Sequence, residues 1–183
     1  HGFRTERTDE VWLYQAYEGE WFVDLIFCSG SGVAEVDDGW FAHAREGMLF
    51  GLRVEVAPPE ELIWSKAFVQ ERERYDGADV VHLLQATGAG LDWERLLRRF
   101  ERQWEVLLSH VLLFRYVDPG ERSRVPAWVM RELLTRAGDS VAEEDWAERV
   151  CRGPLLSRAN DVLDLAHWGC EDGRDWNARA RAG

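Results

Sequence analysis

The chain has 183 residues, 46% hydrophobic and 31% charged, which is enough for one buried core or a small lobe with a helical extension. A formal net charge of -12 disfavours a nucleic-acid groove, which needs Lys and Arg against phosphates. No apolar run approaches the roughly 20 residues of a transmembrane helix, so no membrane partner is expected.

The chain opens His1-Gly2-Phe3 with no basic stretch leading into an apolar one, so it reads as starting inside a domain and not as a signal peptide. Val11 to Tyr17 and Glu20 to Cys28 are rich in aromatic and β-branched residues and flank Glu18-Gly19, which predicts a β-hairpin. In the second strand both faces are apolar except at Asp24, which predicts an inner strand covered on two sides. Ser29-Gly30-Ser31-Gly32 reads as a flexible loop, Asp38 to Ala44 as a short helix or turn, and Leu49 to Val56 as a further strand. Ala57-Pro58-Pro59 breaks that strand.

Pro59 to Arg74 is the clearest helix: Pro59 suits the first turn, and Glu60 and Glu61 suit the positive end of the dipole. Leu62, Ile63, Lys66, Ala67 and Gln70 share a stripe. Tyr75-Asp76-Gly77 interrupts, and Ala78 to Ala86 forms the next helix. Asp92 is a good N-cap for the segment carrying Leu96, Leu97, Phe100 and Trp104. Val106 to Val117 is a strongly apolar helix stopped by Asp118-Pro119-Gly120, and Pro126 to Ala137 is a shorter one. Beyond Gly138 the composition shifts: Glu143-Glu144-Asp145 is acidic, Arg152-Gly153-Pro154 is a turn, and Gly169 to Gly183 reads as a loose tail. The expected class is α+β, with a strand lobe over 1–57, a helical region over 58–137 and a helical or irregular extension over 138–183.

Three features could carry chemistry. Asp24 is a carboxylate in an apolar strand, expensive unless bound by a metal, an arginine or solvent at a sheet edge. Lys66 is the single lysine beside 21 arginines. Its stem could pack while its ammonium snorkels to water, or the ammonium could point at a phosphate. The run Glu71 to Asp79 is either a solvated helix end or a cluster of carboxylates and arginines at a helix corner facing the strand lobe. The histidines show no ligand spacing, and His110 reads as a core histidine. Asp161 and Asp164 could pair one turn apart. Cys28, Cys151 and Cys170 form no CxxC pair or zinc spacing and read as reduced thiols of a cytoplasmic protein.

Trp21-Phe22-Val23-Asp24-Leu25-Ile26-Phe27, Pro58 to Ala67 and Glu71 to Leu84 occur in the order seen in a bacterial family of polymerase-β-like nucleotidyltransferases, which the chain resembles. Ser109-His110, Val125 to Met130 and Arg152 to Arg158 extend the resemblance. It implies transfer of a nucleoside monophosphate from a nucleoside triphosphate, ATP, to a hydroxyl on a small molecule or protein, with two magnesium ions held by three carboxylates. Asp24 is implied as the third carboxylate and metal ligand, Lys66 as a catalytic group facing the phosphates, and Asp76 and Asp79 as further nucleotide-side residues. The family's Gly-Ser turn and Asp-x-Asp strand precede the hairpin, and nothing here matches them. Gly30-Ser31 with Asp37-Asp38 falls after Asp24, and adjacent aspartates on a strand point to opposite faces. A chain of this kind is expected to bind metal poorly, to have little activity alone, and to expose strand edge and apolar surface. The alternative is a non-catalytic binding or regulatory module of the same fold.

Overall fold

The computed structural model describes residues 2–142, 149–157, 165 and 167–175. Three strands, β1 (Arg4–Asp9), β2 (Leu13–Glu18) and β3 (Trp21–Ile26), form an antiparallel meander in that spatial order. The β2–β3 loop is the two-residue Gly19-Glu20, with Glu18 opposite Trp21. Gly19 sits at φ 61, the left-handed region that a tight hairpin turn demands.

Strand β3 is not the covered inner strand that its apolar faces predict. It pairs only with β2, lies at the sheet edge, and exposes all six residues. Alternation reveals a strand's composition, and the neighbours it finds are decided elsewhere. Phe22, Asp24 and Ile26 share one face with Leu13, Gln15 and Tyr17, while Trp21, Val23 and Leu25 share the other with Tyr14 and Ala16.

The segment after β3 is pinned and is not the flexible loop its glycines suggest. The Ser29 hydroxyl accepts from the Ala34 amide at 2.9 Å, the Ser31 hydroxyl accepts from the Val33 amide at 3.3 Å, and the backbone closes through Ser29 N to Ala34 O at 2.8 Å. Val33 and Ala34 are thereby carried into the core. A short helix, α1 (Asp38–Ala42), starts at Asp37, whose carboxylate accepts from the Gly39 amide. Instead of a single strand over Leu49 to Val56 there is a second hairpin, β4 (Arg45–Leu49) and β5 (Leu52–Val56). Its turn is Phe50-Gly51, both at positive φ (49 and 80).

The helical region holds most of the core. Helix α2 (Pro59–Ala67) stops seven residues before the predicted end at Arg74, with Phe68 as its C-cap. The chain then folds back through a Gln70–Tyr75 bridge. Helices α3 (Gly77–Thr87), α4 (Trp93–Phe100), α5 (Trp104–Val117) and α6 (Ala127–Ala142) follow. Asp92 caps α4 by accepting from the Arg95 amide at 2.9 Å, as expected. Ile63, Val80, Leu84, Leu96, Phe100 and Phe114 are among the fully buried side chains, and Phe68 stacks on Phe100 at 5.8 Å. Close to the described end, β6 (Val150–Cys151) pairs in parallel with β7 (Glu171–Asp172), where a loose tail was expected. Glu143-Glu144-Asp145, Asp161, Asp164, and residues 176–183 of the predicted tail lie outside the described residues. The class is α+β, with the strands divided among small sheets.

Buried charge ties the layers together. Glu60 and Glu61, in the first turn of α2, are both buried. Arg95 of α4 bonds the Glu60 carboxylate, while Arg99 reaches Glu61 at 3.2 Å and Asp37 at 2.5 and 2.8 Å. The Arg99 guanidinium also lies 5.0 Å from the Trp64 ring centroid. Its bond to Asp37 holds that carboxyl below the usual range. One side chain therefore joins α4, α2 and the strand lobe.

Candidate functional site

A cavity of about 560 Å³ lies between the strand lobe and the helices, within the size range of small-molecule sites. One wall comes from Trp12, the end of β3 at Ile26, the Ser29-Gly30-Ser31 turn, and Trp40 and Phe41 of α1. The opposite wall comes from Leu62, Ser65 and Lys66 of α2, the fold-back carrying Glu71, Arg74 and Asp76, and Leu155 and Leu156. The fold-back is anchored by backbone bonds from Gln70 N to Leu156 O and from Asp76 N to Val69 O, both 3.0 Å.

Lys66 is the centre of the polar wall. Its ammonium donates to Asp76 Oδ2 at 3.1 Å and to Asp79 Oδ2 at 2.6 Å. Arg74 approaches Asp76 from the other side, donating from Nε at 3.2 Å and Nη2 at 3.3 Å. The two aspartates are not equivalent: the Asp76 side chain is 12% exposed and that of Asp79 is 51% exposed. Partial burial works against both charges of the Lys66–Asp76 pair, yet the bonds outweigh it. Lys66 is held above the ordinary lysine value by Asp79 and Asp76, and Asp76 below the ordinary aspartate value by Arg74 and Lys66. Both stay charged near neutral pH.

Three of the four residues singled out from the sequence, Lys66, Asp76 and Asp79, thus meet in one ion-bonded cluster. The run Glu71 to Asp79 divides between its two readings: Arg72 and Glu73 are solvated, while Glu71, Arg74 and Asp76 line the cavity beneath the strand lobe. Asp24 is not in that cluster. It accepts from Gln15 Nε2 at 2.8 Å on the exposed sheet, and its cost of burial vanishes because it is not buried. Its side chain shares a face with Ile26, which lines the cavity two residues further along, roughly 7 Å away by strand rise.

Magnesium does not fit the residues present. Among the described residues no group of three or more His, Cys, Asp or Glu side chains could hold a metal ion. Asp24 has Gln15 and Phe22 as its cross-strand and same-face neighbours, not a second carboxylate. Cys28, Cys151 and Cys170 form no disulfide among the described residues. No helix among the described residues is long and apolar enough to cross a membrane.

Sequence reasoning missed the strand-lobe side of the cavity. Trp12, Trp40 and the serine turn sit far from Lys66 in sequence, and no local pattern marks them. Comparison with protein-family models, with curated proteins and with solved structures gave no match in any of the three.

Proposed function

We propose that this cavity binds a nucleoside triphosphate, ATP, as the substrate-holding wall of a nucleotidyltransferase that transfers a nucleoside monophosphate to a hydroxyl on a small molecule or protein. The observation that carries the reading is the convergence of Lys66 and Asp76, drawn from two separate blocks of the family resemblance, on the wall of a cavity of suitable size, with Asp79 bonded to the same ammonium. In this reading the Lys66 ammonium is a point charge for a phosphate oxygen. Asp76, gripped by Arg74, keeps the ammonium in place, and the exposed Asp79 yields its position to the phosphate. The aromatic wall of Trp12, Trp40 and Phe41 offers faces for a base. Asp24 lies one pleat outside the cavity and is assigned no contact with the nucleotide in this reading.

Glu55, Glu71 and Asp76 against Lys66 and Arg74 make the lining acidic on balance. A triphosphate should therefore enter better as its magnesium complex than as the free tetra-anion. The test is equilibrium binding of ATP with magnesium and with a chelator. The expected result is saturable binding, tighter with magnesium, and weakened about tenfold or more in Lys66→Met by loss of a charged hydrogen bond. Absence of saturable binding, or binding indifferent to Lys66, overturns the reading.

A second reading, a non-catalytic nucleotide-binding module, is favoured by the lack of a second carboxylate beside Asp24. Label from α-phosphate-labelled ATP separates the two. Asp24-dependent transfer to an acceptor supports the transferase, and binding without transfer by the intact protein supports the module.

A further inference from the structure

Two apolar surfaces lie outside the cavity, and neither has a partner among the described residues. The first is the tip of the β4–β5 hairpin, where Met48, Leu49, Phe50 and Leu52 are all exposed and Phe50 is 96% so. Gly47 to Leu52 contains no charge. The two-residue turn requires positive φ at both central positions, which favours Asn or Gly, yet the first is Phe50 at φ 49. An aromatic ring is thus displayed to water from a backbone conformation that disfavours it, and local folding gains nothing from that choice.

The second surface is the outer face of the meander. Trp21, Val23 and Leu25 of β3 stand beside Tyr14 and Ala16 of β2 across the register, and Trp21 is 83% exposed. This face is apolar, and is rimmed by Arg7 and Glu18. The opposite face sets Asp24 and Gln15 between Phe22, Ile26, Leu13 and Tyr17, and its end at Ile26 lines the cavity.

From these features we propose that the chain forms a symmetric dimer in which the β4–β5 tip of each copy packs on the Trp21–Val23–Leu25 face of the other. Each patch presents on the order of 500 Å² of apolar side chain. A reciprocal contact uses both patches twice and buries at most about 2,000 Å² in total, against the roughly 1,200–2,000 Å² of stable interfaces. A tip-to-tip or face-to-face contact buries half as much and leaves the other patch in water. The net charge of -12 sets two acidic bodies against each other, so the apolar contact has to outweigh their repulsion. Salt should then tighten the dimer by screening the repulsion between acidic bodies.

The test is sedimentation velocity of the full chain over a concentration series at low and moderate salt, on two variants. Phe50→Asn with Leu52→Thr removes the tip while suiting the turn. Trp21→Thr with Val23→Thr removes the face while keeping strand propensity. A salt-strengthened dimer is expected for the parent chain. Each variant alone should self-associate about thirtyfold more weakly or worse. The decisive sample is their equal mixture: one variant keeps its face and the other its tip, so one of the two contacts is restored and a weaker dimer returns. A monomeric parent chain overturns the proposal, as does a mixture that fails to recover association. A monomer that binds neutral lipid vesicles through Phe50 overturns it too and assigns the tip to a membrane surface. Circular dichroism checks that the variants fold. Should a double variant unfold, Phe50→Asn and Trp21→Thr alone repeat the mixing experiment.

Discussion

At the scale of single residues, the Lys66 cluster makes an asymmetric prediction. Asp79 is half exposed and competes with any incoming phosphate for the ammonium, while Asp76 is shielded and shared with Arg74. Asp79→Asn should therefore tighten ATP binding by about two- to fivefold, the worth of an exposed ion pair given up in the free protein. Asp76→Asn should weaken binding, because the ammonium loses its fixed partner. Isothermal titration of the two variants side by side checks the opposite signs. His110 offers a second prediction. It is buried between α5 and α2, with Nε2 3.0 Å from the Ala67 carbonyl, and burial pushes its pKa below the ordinary value. The unfolded chain then takes up the proton first as pH falls. Stability held at neutral pH is lost from about pH 6.5 downward until the folded-state pKa is reached. Urea unfolding between pH 7.5 and pH 5, values bracketing the ordinary histidine pKa of about 6.5, should show this slope, and His110→Gln should flatten it.

At the scale of elements, the Glu60–Glu61–Arg95–Arg99 network fixes α2 against α4. Arg95→Met leaves the buried Glu60 side chain with the Asp92 amide as its one partner among the described residues and strips one contact from Glu61. The expected cost is about 3–5 kcal/mol in urea unfolding, whereas Glu94→Gln, on the exposed side of the same helix, should change little. Helices were the most legible part of the sequence because their signals are local: Pro59 at the first turn, Asp92 at the cap, and apolar stripes burying Leu96 and Phe100. Glu60 and Glu61 were legible only as dipole partners. Their pairing with Arg95 and Arg99 spans more than thirty positions, beyond the reach of any periodicity. The end of α2 was placed late because Glu71 to Arg74 suits a helix by composition, while the Gln70–Tyr75 bridge that displaces it depends on Leu156 holding Gln70. Of the site, Lys66 was found by its rarity and Asp76 and Asp79 by resemblance. For Asp24 the sequence left a metal, an arginine and a sheet edge open, and the edge is where it lies, since a strand's own pattern does not say whether a neighbour covers it.

At the scale of the whole molecule, Arg99 links the strand lobe to the helices through Asp37. Arg99→Leu should keep the helical core but loosen the lobe, raising amide exchange over residues 28–42 more than over α5. Equal exchange in both regions would show that the lobe is held by apolar contacts such as Val33 and Ala34 alone. The cavity walls run from Trp12 to Leu156, most of the described chain. Such a site has no counterpart in a partly folded chain, because closing it requires the strand lobe, α2, the fold-back and Leu155-Leu156 to meet. Its ligand can therefore recognise only the finished protein, and occupancy would shift the folding equilibrium as a whole, protecting α2 and the distant meander by the same increment.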